Sequence, residues 1–192
     1  MAYESVKVYE IVERAVNHSW SIPEFQRGFV WTSTQVRDLA ESLWLSYPIG
    51  SLLVWDSKQP TETKNASDAQ SPSLWVVDGQ QRATALSILS GRKPYWWTSG
   101  DLWEQTIKKY DIRFDIHTKE APFFWVANAA IRKVKDGRYI PLSKLLNLDV
   151  KKTKTNKFYR IWHVRSNCKG GVMGWMLWKY ILVLIASEKF EK

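Results

Sequence analysis

Residues 74–86 read LWVVDGQQRATAL, Leu74 through Leu86. Four apolar residues of strand character run into Asp78-Gly79, a common turn dipeptide. A helix-forming stretch follows from Gln81 to Ser90, and Gly91 is suited to a left-handed cap. Strand, tight turn and helix in that order are the setting of Asp78-Gly79-Gln80-Gln81-Arg82. The first turn of a helix exposes unpaired backbone N–H groups and a partial positive charge, so it readily holds an anion such as phosphate. Gly79 permits close approach, Arg82 can supply a bidentate charged contact, Gln80 and Gln81 offer amide donors and acceptors, and Thr84 adds a hydroxyl. Asp78 repels phosphate and is better suited to binding Mg²⁺, orienting water or capping the helix. The same residues also make up an ordinary capped turn with a solvated helix face, and residue types alone leave both readings open. No GxxxxGK[ST] loop occurs, so this is not a Walker A site.

Upstream lies a second polar pair, Gln26-Arg27, in the non-helical segment EFQRGFVW (24–31), where Phe25, Phe29 and Trp31 are expected to anchor it to the core. Thr32 and Gln35 form a capping box for a helix whose apolar face is Val36, Leu39, Ala40, Leu43 and Trp44, stopped by Tyr47-Pro48. Apolar spacing at Val8, Ile11, Val12, Ala15 and Val16 predicts a helix before that segment, and Ile49–Trp55 reads as a strand covered on both faces. Residues 56–73 form an 18-residue polar stretch read as a surface loop. Further on, 111–117 alternates as a half-buried strand, 122–126 is its candidate partner, and 141–146 reads as a short helix.

The chain of 192 residues can bury a core without covalent staples. Its single cysteine, Cys168, excludes an internal disulfide framework, and with no signal pattern at the start the expected location is the cytoplasm. The apolar run at 172–186 is 15 residues long with Lys179 inside it, too short for a membrane span, and reads as a buried helix or strand. The net charge of +9 is local: residues 132–169 carry 12 Lys/Arg against 2 Asp/Glu, whereas residues 1–131 carry 13 against 15. This block favours a polyanion, and Lys151, Lys152, Lys154 and Lys157 are its candidate nucleic-acid contacts, although a solvated loop has the same composition.

Taken in order, IPEFQRGFVWT, YPIGSLLVW and VVDGQQRATAL resemble the N-terminal domain of the DGQQR-motif proteins of GmrSD-type modification-dependent restriction systems. The resemblance is strong over residues 5–90 and weaker to about 150. It implies a ParB/sulfiredoxin-like α/β (α+β) fold, a small mixed sheet with flanking helices. It also implies a module that binds and often hydrolyses a nucleoside triphosphate with Mg²⁺, senses modified DNA, and governs a nuclease on a separate subunit or domain. Carried over by position, the site residues are Gln26, Arg27, Asp78, Gly79, Gln80, Gln81, Arg82 and Thr84, with Asp78 as the catalytic and metal candidate. His18, His117 and His163 are scattered, without the clustered pattern of a metal nuclease. The chain is therefore expected to divide into a nucleotide-binding domain at 1–150 and a basic, then apolar, C-terminal extension at 151–192, irregular or partly helical and open to being a truncated end. No membrane association is expected, and an oligomer is compatible with the sequence. A DNA-binding module without nucleotide chemistry, or a remnant acting as an interaction protein, is the alternative.

Overall fold

A computed structural model describes residues 2–56, 74–97, 102–147 and 180–187. The chain opens with β1 (Ala2–Lys7), α1 (Val8–Val16) and β2 (Trp20–Ser21), followed by α2 (Ser33–Trp44) and β3 (Leu52–Asp56). Then come β4 (Leu74–Asp78), α3 (Gln80–Ser90), α4 (Trp103–Lys109), β5 (Ile112–Asp115), β6 (Phe124–Val126), α5 (Ala129–Lys133), β7 (Tyr139–Pro141), α6 (Leu142–Leu146) and β8 (Tyr180–Ser187). The α/β reading holds. The strands form a five-stranded mixed sheet of order β1-β8-β3-β4-β2 and a three-stranded antiparallel sheet of order β6-β5-β7.

The apolar run near the end, left open between helix and strand, is a strand. β8 lies between β1 and β3, antiparallel to the first and parallel to the second, so Tyr3 pairs with Leu184 and Leu53 with the same residue from the other side. β8 falls within the C-terminal extension expected at 151–192, and this part of it is a strand of the same sheet as β1 and β3. Ahead of α1 the chain forms β1, which local sequence did not indicate: an extended segment at the edge finds its hydrogen-bond partners in β8, far along the chain.

Helix α2 starts as its sequence indicates. Thr32 Oγ1 accepts from the Gln35 N–H at 3.2 Å and the Gln35 carboxamide oxygen accepts from the Thr32 N–H at 2.8 Å, while Val36, Leu39, Ala40 and Leu43 are buried. Helix α3 is different in kind. Its residues from Ala83 to Ser90 are all buried, because α1, α2 and α6 pack around it. Small residues allow that crowding, and the two buried serines are satisfied within the helix, Ser87 Oγ donating to Ala83 O at 3.1 Å and Ser90 Oγ to Ser87 O at 2.9 Å.

The small sheet is joined to the rest by an aromatic cluster and one carboxylate. Trp44 packs against Phe114, Phe123 and Phe124 with centroids 5.2, 5.7 and 6.1 Å away. Glu41, on the same helix, accepts from the backbone N–H groups of Phe123 and Phe124 at 3.0 Å. Inside the small sheet Asp115, 1% exposed, is paired with Arg138 at 2.7 Å and accepts from the His117 N–H at 2.9 Å. Burial pushes the Asp115 carboxyl up, but Arg138 and the His117 N–H outweigh it and hold the group below the usual carboxylate range.

Candidate functional site

Strand β4 ends at Asp78, and Gly79 turns the backbone into α3 with φ of +89°. That left-handed value is one reason a glycine stands here, and space is the other: a Cβ at Gly79 would lie 2.1 Å from Leu52 Cδ2 and 3.1 Å from Arg82 Nη2. The N-cap residue Gly79 has no side chain to cap α3, and among the described residues no other side chain does so; the N–H groups of Gln80, Gln81 and Arg82 have no acceptor within the helix. Asp78 stands beside this end with its carboxylate 72% exposed and Oδ2 3.0 Å from Arg82 Nη2.

The polar side chains of the turn are directed at other parts of the chain. Gln26 Nε2 donates to Val77 O at 2.8 Å, and Gln80 Nε2 donates to Arg27 O. Gln81 uses both ends of its amide, donating to Gly28 O at 3.0 Å and accepting from the Val30 N–H at 2.9 Å. Arg82 Nη1 donates to Ile49 O at 2.9 Å, under Gly50, whose φ of +82° and 2.4 Å clearance between an added Cβ and Arg82 Nη1 leave no room for a side chain. The motif is thus a clasp that holds two distant segments, 26–30 and 49–50, against the amino end of α3. Phe29 completes the attachment by packing against Tyr110 at 5.6 Å and Trp97 at 6.2 Å, and the Tyr110 hydroxyl donates to Trp31 O at 2.7 Å.

Residues 8–185 are matched by the family model of the GmrSD restriction endonuclease, N-terminal domain. The chain belongs to that family. It is also 27% identical over 188 residues to an uncharacterised protein of Methanocaldococcus jannaschii, a match covering 85% of this chain and 31% of that protein. The chain therefore spans about a third of the length of this curated relative.

Within the GmrSD N-terminal domain fold the expected site residues come together, but their roles divide. Gln26, Gln80, Gln81 and Arg82 converge with Asp78 and Gly79, yet each of the four side chains donates to a backbone carbonyl of the same chain, and Arg82 also meets the Asp78 carboxylate. The Gln80, Gln81 and Arg82 side chains are engaged within the chain, while the backbone N–H groups of these residues stand at the amino end of α3. Thr84 is buried and its hydroxyl accepts from Trp96 Nε1 at 3.0 Å, so it faces the core and not the turn. Asp78 does not cap α3. The Arg27 guanidinium is exposed and has no hydrogen-bond or ion-pair partner among the described residues. Phe25, expected as an anchor, is 78% exposed.

Among the described residues no three His, Cys, Asp or Glu side chains gather as a metal site, so Asp78 is a single carboxylate. One carboxylate completed by phosphate oxygens and water is a donor set that fits Mg²⁺ held with a nucleotide. Lys151, Lys152, Lys154 and Lys157 lie outside the described residues, as does His163. Within the described part of the basic block Arg132, Lys133 and Lys135 are exposed, and Arg132 is tied to the end of α4, where Lys108 and Lys109 are also exposed, by the bond from its Nη2 to Lys108 O at 3.0 Å. No helix of the described residues is long and apolar enough to cross a membrane. Ile49 and Gly50, which receive Arg82, were not singled out from the sequence; the glycine after Pro48-Ile49 was the available signal.

Proposed function

We propose that this chain is a nucleotide-binding regulatory domain of a modification-dependent DNA restriction system, hydrolysing a nucleoside triphosphate with Mg²⁺ and acting with a nuclease carried elsewhere. The observation that supports it is the uncapped amino end of α3, flanked by the exposed Asp78 carboxylate and by the segment bearing the unpartnered Arg27. In this reading the N–H groups of Gln80, Gln81 and Arg82 bind phosphate oxygens, since a helix amino terminus favours an anion. Arg27 adds a mobile positive charge from the facing segment. Asp78 holds Mg²⁺ or orients the attacking water. Gln26, Gln80, Gln81 and the Arg82 side chain keep the two segments in place, which makes them positioning residues. Mg²⁺, when bound, neutralises phosphate charge and polarises the phosphoryl group.

Calorimetric titration of GTP, ATP and CTP with Mg²⁺ into the native chain, Arg27→Ala and Asp78→Asn tests this. Binding by the native chain, weakened in Arg27→Ala and less dependent on Mg²⁺ in Asp78→Asn, is the expected outcome. Failure of the native chain to bind any of the three overturns it.

A second reading, direct contact with DNA, is favoured by the cluster of Lys108, Lys109, Arg132, Lys133 and Lys135. Its acidic neighbour Asp111 is already paired with Arg113 at 3.0 Å and Arg132 at 3.2 Å, which leaves the lysines uncompensated. Duplex DNA, modified and unmodified, is then bound with an affinity that falls steeply with salt, and replacing Lys108 and Lys133 together by Ala makes that slope shallower by roughly 2. Equal, negligible affinity for both duplexes at low salt rejects this reading.

A further inference from the structure

We infer that Phe25 is the platform on which the base of the bound nucleotide stacks, while the amino end of α3 holds its phosphates. This rests on the nucleotide-binding reading above and extends it to a residue that is not among the site residues the resemblance carries over. Phe25 and Tyr3, each 78% exposed, have the highest exposure among the large hydrophobic side chains described. Burying a phenylalanine stabilises a fold, and the chain forgoes that burial at this position. Its neighbours show that the core was within reach: Ile22 and Pro23 are buried, and Phe29 packs on Tyr110 and Trp97.

The backbone carrying this ring is fixed from both sides by bonds that leave the ring alone. Gln26 N–H donates to Pro23 O at 3.1 Å, closing a turn with Glu24 and Phe25 at its tip. The Gln26 side chain ties the turn to Val77, next to Asp78, and the Gln80 side chain ties the following residue to the first turn of α3. A solvent-facing aromatic on a clasped turn loses little further entropy when a ligand covers it, since only two side-chain torsions remain to be ordered. Arg27 is exposed two residues away, so an aromatic face, a guanidinium and a set of helix N–H donors are carried on adjoining segments. That set suits a planar heterocycle with an anionic tail. A protein partner is a poorer fit, because specific protein interfaces take about 800 Å² from each side. The residues next to Phe25, namely Glu24, Arg27 and Gly28, are exposed and polar or small.

The test uses the full chain with Mg²⁺, whichever of GTP, ATP or CTP it binds, and inorganic tripolyphosphate as a probe without a base. Phe25→Ala is expected to weaken nucleotide binding by roughly 5- to 150-fold, the range for one base–aromatic stack. Tripolyphosphate binding is expected to stay within about twofold of native, by the same argument that the stack touches only the base. Phe25→Trp is expected to restore nucleotide affinity. Unchanged nucleotide affinity in Phe25→Ala overturns the inference and leaves the nucleotide site standing. Equal loss of tripolyphosphate binding also overturns it, because the ring would then be acting on the phosphate end. Absence of nucleotide binding by the native chain overturns the functional reading itself and this inference with it.

Discussion

Replacing Arg82 with alanine separates a structural arginine from a purely ligand-binding one, because the two differ in what happens with no ligand present. In the structure Arg82 is a clasp: its side chain is 18% exposed, Nη1 donates to Ile49 O at 2.9 Å, and Nη2 meets Asp78 at 3.0 Å. A charge-assisted hydrogen bond to a partly buried carbonyl contributes about 1.5–3 kcal/mol, and its loss leaves the Ile49 carbonyl without that donor. The pair with Asp78 adds little, about 0.3 kcal/mol, because the carboxylate is mostly in water. The sum is about 2–3 kcal/mol. For a chain of this size each kcal/mol moves the melting temperature by roughly 2–4 °C, so the expected fall is about 4–12 °C. Urea denaturation followed by far-UV circular dichroism, without nucleotide, measures the free-energy loss and a thermal melt the temperature shift, and Asp78→Asn serves as the comparison with an expected loss under about 0.5 kcal/mol. Arg82→Lys recovers only part, since one ammonium cannot reproduce the forked contact. If Arg82→Ala unfolds within about 0.5 kcal/mol of native, the clasp is not what holds residues 49–50, and the structural role assigned to Arg82 is wrong.

Gly79→Ala forces a Cβ to within 2.1 Å of Leu52 Cδ2 at a φ of +89°, so a loss of about 2–4 kcal/mol is expected from strain and overpacking together, read from the same urea curves. Glu41→Ala removes the acceptor for the Phe123 and Phe124 N–H groups and is expected to cost about 1.5–3 kcal/mol, with Glu41→Gln intermediate; a thermal melt of the three proteins checks the order. Because Asp115 is held below its usual value in the folded chain, it contributes stability that is present above the unfolded carboxylate value and lost as pH falls through the folded one. Asp115→Asn should therefore destabilise the chain at neutral pH and flatten the acid limb of a stability-versus-pH curve, and an unchanged limb would count against the pair with Arg138.

Much of the organisation is legible in local sequence. The capping box at Thr32 and Gln35, the apolar face behind it, the alternation around Ile112 to Ile116, and the left-handed cap at Gly91 are short-range features, and each is found where its residues place it. Strand β1 and the strand nature of β8 are not of that type. Each depends on a partner far along the chain, and a continuous apolar run fits a buried helix as well as a central strand. The candidate site was legible as a gathering of Gln26, Arg27 and the DGQQR turn. It was not legible as a clasp, because an amide or guanidinium has the same donors whether it meets a phosphate or a backbone carbonyl.

By itself the sequence determined the glycine-bearing turn between strand and helix, the start of α2 and the end of α3, the local concentration of basic charge and, through the order of its boxes, the family. Tertiary structure decided which polar groups are used up and which are left over. Four of the site's side chains, Gln26, Gln80, Gln81 and Arg82, are bonded to the main chain at residues close in space and more than thirty positions away in sequence, while Phe25, Arg27 and Asp78 face solvent. The physical reason is that hydrogen-bonding capacity belongs to a residue type, whereas its satisfaction depends on which backbone groups the fold brings within about 3 Å.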